Sequence, residues 1–411
     1  MRLRKNGGDR MPAVCIVRHN YYPDGHVRRD AEALAQKGYD VSVVSLRRST
    51  QSPRETVNGV EVHRLRVEHR RGSVVRYIWE YVAFLVLAFL RVTRLHAQKR
   101  FSIVEVDNMP DVLVFSALVP KLTGARVMLY IFDNMPELLM VTRKLSHRHP
   151  AVRLLTWAES ASTRFANKVL VTQEMARRVV QSRGTPENKL AVVLNCPDET
   201  IFKSEPQQER SRGSGDAFEI VTHGVILERY GVQVLIDALP KIIAQVPETR
   251  VHVFGEGEYR SELESRVRQL GMSDRVIFHG LAPMEELLAH LRRADVGYVG
   301  MLCDLMLSNK LMEYVTLSVP AVVSRWSTYE YYFPEDSVTY YKAGDPNDVA
   351  RAIISVYQAP ERARERASRA LELYQRYRWP VQREVYLGIY SELLADQTER
   401  WQPSYPLEPS A

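Results

Sequence analysis

Three cysteines in 411 residues, Cys15, Cys196 and Cys303, are too few and too scattered for a disulfide framework, and they fit a reducing compartment. No two of them stand at metal-ligand spacing. The basic start, Met-Arg-Leu-Arg-Lys-Asn-Gly-Gly-Asp-Arg, lacks a following apolar region, so it does not read as a signal peptide. The stretch Tyr81–Leu90 is apolar all round but only ten residues long, too short to span a bilayer. No helix-turn-helix, RNA-binding or zinc-finger pattern occurs, which argues against a nucleic-acid partner. A complete G-x-G-x-x-G is missing too; after the first strand only Gly25 is placed to let backbone approach a phosphate.

What is present is ordinary for a soluble globular protein: 45% hydrophobic, 26% charged and 9% aromatic residues. The length predicts two domains rather than one core. Charge divides them. Residues 1–195 hold 32 Lys+Arg against 17 Asp+Glu, a net +15, whereas residues 196–411 hold 24 against 32, a net −8. The basic half suits a phosphorylated substrate or an anionic membrane surface.

Strand and helix patterns alternate along both halves, the signature of doubly wound parallel sheets. In the first half, strands are expected at Ala13–Val17, Val41–Leu46, Val60–Val67, Ile103–Val106, Val127–Phe132, Lys168–Thr172 and Ala191–Leu194, with helices at Val27–Lys37, Val112–Leu122 and Leu154–Asn167. A long helix is expected over residues 73–98. Its apolar middle is flanked by Arg70, Arg71, Arg76, Arg91, Arg94, Lys99 and Arg100, so it reads either as a buried domain helix or as one lying in a membrane interface. Two strands end in the same tetrapeptide, Asp107-Asn-Met-Pro110 and Asp133-Asn-Met-Pro136. Such folds place ligands at strand C-termini, so Asp107, Asp111, Asp133 and Glu137 are candidates for a general base or for sugar-hydroxyl contacts; helix capping is the alternative.

A polar stretch, residues 198–217, links the halves. The second half then restarts the cycle with strands Phe218–Thr222, Arg250–Phe254, Val276–His279, Val296–Val299 and Ala321–Ser324, and glycine-bearing loops at Gly224, Gly255 and Gly280. Helices are expected at Val232–Ala244, Tyr259–Leu270, Met284–Arg293, Asp348–Tyr357 and Pro360–Tyr374, with Tyr377–Leu394 closing the chain. A short helix from Asn309 to Leu317, with Ser308 as N-cap, puts Lys310 and Glu313 three residues apart. Both can face one ligand, or form a surface ion pair.

The ordered set His223–Gly231, Val253–Gly257, Val276–Leu281, Ala294–Val299 and Ser308–Ser324 resembles the retaining glycosyltransferases of family 4. Asp107–Val119 and Tyr130–Glu137 resemble members from bacterial polysaccharide clusters. The resemblance implies an α/β GT-B fold, two Rossmann-like domains with a cleft between them: an acceptor domain over 1–196, a linker over 197–217, a nucleotide-sugar domain over 218–375 and a closing helix and tail over 376–411. It implies that Glu313 holds the nucleotide ribose, that Ser308, Asn309 and Lys310 hold the diphosphate, and that Gly224, Gly255, Glu256, Gly280 and Leu281 lie at the donor. No metal or other cofactor is expected. Four positions depart from the family pattern. Leu305 stands where the first glutamate of the pair belongs, leaving Asp304 as the nearest carboxylate. Val225 and Tyr230 replace the arginine and lysine of the glycine loop, with Arg229 as substitute. Phe132-Asp133 replaces a histidine-aspartate pair. Asp133, Asp304 and Asp107 are therefore the candidate catalytic groups.

The expected activity is transfer of a sugar from a nucleotide-sugar donor, with retention, to a lipid-linked or oligosaccharide acceptor. The expected place is the cytoplasmic, peripheral inner face of a membrane. A non-catalytic subunit on this fold that binds a partner enzyme, and a nucleotide-sugar epimerase, are the alternatives.

Overall fold

The computed structural model describes residues 12–23, 25–67, 74–203, 217–304 and 306–399. The basic N-terminal decapeptide, Arg70, Arg71, Leu305 and most of the polar linker lie outside these residues. The strands are β1 (Ala13–Tyr21), β2 (Asp40–Leu46), β3 (Arg54–Val57), β4 (Val60–Leu65), β5 (Ile103–Asp107), β6 (Arg126–Ile131), β7 (Lys168–Val171) and β8 (Leu190–Val192), then β9 (Phe218–His223), β10 (Thr249–Phe254), β11 (Val276–Gly280), β12 (Val296–Val299), β13 (Ala321–Ser324) and β14 (Thr339–Tyr341). The α-helices are α1 (Gly25–Lys37), α2 (Val74–Lys99), α3 (Leu118–Leu122), α4 (Met135–Arg143), α5 (Pro150–Phe165), α6 (Glu174–Ser182) and α7 (Val232–Ile243), then α8 (Arg260–Gln269), α9 (Met284–Arg293), α10 (Asn309–Thr316), α11 (Ser327–Tyr332), α12 (Pro346–Gln358), α13 (Pro360–Tyr374) and α14 (Trp379–Glu399).

Two compact units result. One comprises the described parts of Met1–Met140, Lys144–Val193 and Gln382–Ala411; the other comprises Val141–Arg143 and Leu194–Val381. The first unit's sheet runs β3-β4-β2-β1-β5-β6-β7-β8, parallel except for the edge pair β3–β4. The second runs β11-β10-β9-β12-β13-β14, parallel throughout. In both, strand order reverses at the centre: between β1 and β5 in the first, and between β9 and β12 in the second. The carboxyl ends of strands at such a reversal are where open α/β sheets bind ligands.

The helices follow from their apolar spacing. In α7, Val232, Leu235, Ile236, Leu239 and Ile242 recur every three or four residues and pack with Ile220, Val251 and Ile353 in the second unit's core. Asp345 caps α12, its carboxylate accepting from the amides of Asn347 and Asp348 at 3.0 and 3.3 Å.

Several expectations need correction. The helix expected over Val112–Leu122 is a 3₁₀ turn, Asp111–Ala117, followed by the short α3. Ser308 occupies the N-cap position of α10, but its side chain makes no capping bond. The middle of α2 is apolar all round in composition but not all round in burial. Phe84, Ala88, Val92 and Leu95 are buried, while Trp79 (71% exposed), Ile78, Val82, Val86 and Leu90 face outward. The last helix belongs from Gln382 onward to the first unit. Tyr386, Leu387, Tyr390 and Leu393 pack there beside β1, β2 and α1, and the hydroxyls of Tyr386 and Tyr390 both donate to the buried Glu105 carboxyl at 2.9 Å.

Candidate functional site

In the second unit, the loops after β9, β10 and β11 lie side by side. The Gly224 amide donates to Phe254 O (3.0 Å), the Gly255 amide to Gly280 O (2.7 Å) and the Ile226 amide to Glu256 O (2.9 Å). The packing leaves no room for a side chain at Gly255: a Cβ there would sit 1.9 Å from Gly224 O, and its φ is +118°. Gly224, Gly255, Glu256 and Gly280 are thus brought together as expected. The Glu256 carboxylate pairs with Arg260, and Leu281 is 83% exposed.

At the strand reversal, β9 ends at His223. The next turn carries Arg229 and Tyr230, whose loop is tied to the one after β12 by the Leu302 amide on Arg229 O (2.9 Å) and to β12 itself by the Tyr298 hydroxyl on Gly231 O (3.0 Å). The guanidinium of Arg229 and the ammonium of Lys310 both lie against Tyr230, 5.0 and 5.3 Å from its ring centroid. His223 Nε2 is 3.2 Å from Glu313 Oε2, and Tyr314 meets the imidazole edge-on.

This geometry removes one of the two readings of Lys310 and Glu313, the surface ion pair. Among the described residues they form no direct ion pair, and neither is a surface group. Burial pulls the Lys310 ammonium down to about 8, with Glu313 only partly opposing it. Burial pushes the Glu313 carboxyl up to about 7, with Lys310 partly opposing. Burial, reinforced by the Lys310 charge, takes His223 to about 3, so this imidazole is neutral. The Nε of Arg229 is buried with no hydrogen-bond partner. Two cations beside the start of α10 with few compensating contacts suit an anion, and a carboxylate and a neutral imidazole next to them suit hydroxyl groups.

Asn309, at the start of α10, accepts from Asn195 Nδ2 at 3.1 Å, and Ser308 is buried. Asp304 is placed elsewhere: its carboxylate accepts the Ser327 hydroxyl and, at 3.3 Å, the Thr328 amide, so it closes the start of α11. A cavity of about 350 Å³ in the same unit is lined by Arg325, Tyr340, Asp348 and Arg351. Its arginines are already paired with Glu330, Glu335 and Asp348, and no expected site residue lines it.

In the first unit, the two repeated tetrapeptides are joined by Asn108. Its amide oxygen accepts from Phe132 N (2.8 Å), and its Nδ2 donates to Asp133 O (2.7 Å) and Asp111 Oδ1 (2.9 Å). Asp107 is buried 3.5 Å from Arg18, whose guanidinium lies 4.3 Å from the Phe132 ring centroid. Asp133 is half-buried. Burial raises Asp111 to about 7. Glu137 shares Arg183 with the fully buried Glu159, which takes two bonds of 2.9 and 2.8 Å. Gly25 starts α1 with open space around it, so nothing there requires a glycine.

Sequence reading missed His223 as a neutral partner of Glu313, although it closes a named strand. It also missed a grouping of metal-ligating side chains, His252, His279 and His290, that only the fold brings together.

Two family models match the chain: the glycosyl transferase 4-like domain over residues 25–196 and the glycosyl transferases group 1 domain over residues 217–359. A GDP-mannose-dependent alpha-(1-6)-phosphatidylinositol monomannoside mannosyltransferase of Mycolicibacterium smegmatis is 37% identical over 84 residues, 20% of this chain and 22% of that protein. The match therefore spans under a quarter of that relative. An uncharacterized glycosyltransferase of Methanocaldococcus jannaschii is 24% identical over 285 residues, 66% of this chain and 68% of that one. Among solved structures, sucrose-phosphate synthase from Thermosynechococcus elongatus has a TM-score of 0.74 at 18% identity, covering 94% of this chain and 100% of that one. Anabaena HepE, solved with UDP, has a TM-score of 0.70 at 13% identity, covering 93% and 100%. With two parallel-sheet Rossmann-like units, matching models over both and these structural neighbours, the chain has the GT-B fold and carries a glycosyl transferase 4-like domain followed by a glycosyl transferases group 1 domain.

Proposed function

We propose that this chain moves a sugar from a nucleoside-diphosphate donor, with retention of configuration, to a lipid-linked acceptor at an anionic membrane face. The observation that carries the donor assignment is Lys310: a desolvated ammonium at a helix start, next to Arg229, with no carboxylate in ion-pair contact. A diphosphate supplies the missing charge, and the same two cations stabilise it as it departs from the sugar. Glu313, beside neutral His223, takes the ribose hydroxyls. A panel of nucleotide sugars tests this by thermal stabilisation. At about 100 times the dissociation constant, bound donor adds about 2.7 kcal/mol. No shift across the panel at millimolar ligand would remove the donor assignment.

Two features support the membrane part. The first half carries a net +15, and α2 turns Ile78, Trp79, Val82, Val86 and Leu90 outward on one side. No described helix is long and apolar enough to cross a membrane, so a surface contact is the relevant mode. The Mycolicibacterium relative is named for a phosphatidylinositol-linked acceptor. Co-sedimentation with anionic liposomes at low salt, reduced by Trp79→Ser, is the expected result; a chain that ignores such liposomes is not membrane-associated. One observation favours a second reading, a subunit that binds nucleotide without turnover: Asp304, the nearest stand-in for the absent glutamate, is engaged at the start of α11. Donor binding with no transfer or hydrolysis across donors and acceptors would select it.

A further inference from the structure

His252 on β10, His279 on β11 and His290 on α9 come from three elements, yet their rings touch. The centroids are 5.2, 4.4 and 4.9 Å apart for the pairs 252–279, 252–290 and 279–290. One ring nitrogen from each lies within 4.8 Å of the others.

The outward nitrogens determine what the inward ones are. His252 Nε2 is 3.0 Å from Glu219 Oε2, and His279 Nδ1 is 3.2 Å from Glu286 Oε1. A carboxylate accepts, so His279 Nδ1 carries the proton, whereas His252 Nε2 makes no hydrogen bond despite its distance to Glu219. The inward nitrogen of His279, Nε2, then presents a lone pair to His252 Nδ1 across 2.9 Å. A proton on His252 Nδ1 or a metal ion can fill that gap. The third ring adds to the same side: His290 Nδ1 is buried without a hydrogen bond, the nearest carboxylate oxygen being Glu219 Oε2 at 4.0 Å. Phe254 stacks on His279 at 4.0 Å and 5°, holding the ring plane. An imidazole whose far nitrogen donates to a carboxylate, as that of His279 does, is the arrangement that orients a histidine ligand on a metal.

We propose that His252, His279 and His290 bind one divalent transition-metal ion of the zinc class, with Glu219 and Glu286 orienting two of the imidazoles. Three neutral nitrogen donors suit such an ion rather than magnesium or calcium, which prefer oxygen. At metal–nitrogen distances of about 2.0–2.1 Å, tetrahedral ligands stand roughly 3.3 Å apart. The 2.9 Å pair opens slightly and His290 swings inward from its half-buried position. The ion would tie β10, β11 and α9 together immediately before the loops at Gly255 and Gly280. It is a brace on the second unit, separate from the sugar-transfer chemistry.

The test uses tag-free full-length protein, stripped with chelator and titrated with zinc or cobalt, with magnesium and calcium as controls. One zinc equivalent should bind and raise the melting temperature, and cobalt should give the visible bands of a tetrahedral site. His279→Ala and His290→Ala should each abolish both signals; Glu219→Gln and Glu286→Gln should weaken binding roughly 10–100-fold. If the alanine variants fail to fold, the glutamine variants, which keep the volume, decide the question. No saturable zinc binding would show that a proton, not a metal, bridges the histidines. Zinc binding undiminished in all four variants would place the ion elsewhere. Either result overturns the proposal.

Discussion

Lys310→Met keeps the length of the side chain and removes its charge, and it should move stability and binding in opposite directions. The fall from 10.5 to about 8 corresponds to roughly 3 kcal/mol that burial costs the ammonium when no anion is bound. Because the folded value is depressed, this cost is complete below about pH 8 and fades as pH rises toward 10.5, where the free lysine also loses its proton. The variant should therefore melt several degrees above the parent at pH 7, with the gap closing by pH 10. Donor binding should worsen. An interaction of the ammonium with phosphate oxygens is worth about 1.5–3 kcal/mol, so nucleotide-sugar affinity should drop on the order of 10–100-fold. Differential scanning fluorimetry across pH, with calorimetric titration of donor, reads both quantities. A variant that is less stable and binds donor as before would show that Lys310 supports the fold, and the diphosphate assignment would fail with it.

Donor affinity should follow a bell-shaped pH curve with its maximum between about 7 and 8, since Glu313 must be ionised and Lys310 protonated; Glu313→Gln should remove the acid limb, as titration calorimetry with a nucleotide sugar, whose diphosphate does not titrate in this range, would reveal. Gly255→Ala should destabilise the second unit by more than about 2 kcal/mol in denaturant unfolding, because the added Cβ meets Gly224 O and the φ is left-handed. Arg183→Met should cost about 3–5 kcal/mol at neutral pH by leaving Glu159 buried without its partner. That loss should shrink in acid, where a protonated Glu159 needs no counter-charge, and donor affinity of the folded variant should stay unchanged.

Most of the parallel strands were legible as short apolar runs, although β14, Thr339-Tyr-Tyr341, was not expected. β3 was not: Arg54-Glu-Thr-Val57 has no apolar run and owes its conformation to antiparallel pairing with β4. Helix α6 was hidden by its polarity, with Glu174 bridging Arg177 and Arg178 along its surface. The glycine loops and the Lys310–Glu313 pair could be read from order and spacing. What those residues do to one another could not, because His223 and Glu313 are ninety positions apart and meet only across the sheet edge. Asp304 and Glu137 looked like free carboxylates for the same reason. Their partners, Ser327, Thr328 and Arg183, are set by tertiary packing. The histidine grouping defeats motif reading outright, since no fixed spacing links two adjacent parallel strands to the helix that follows them.

The return of α14 to the first unit has a consequence for how this protein is made. Tyr386 and Tyr390 supply the hydroxyls on Glu105, and Leu387, Ile389 and Leu393 complete the apolar face over β1, β2 and α1. While the chain leaves the ribosome, its first unit therefore waits for nearly everything else to be translated before its own interior is sealed. Until then a buried acid lacks its donors and an apolar sheet face stands open, a state that invites chaperones or self-association. The second unit is contiguous apart from Val141–Arg143 and has no such wait. The half written first is the half finished last.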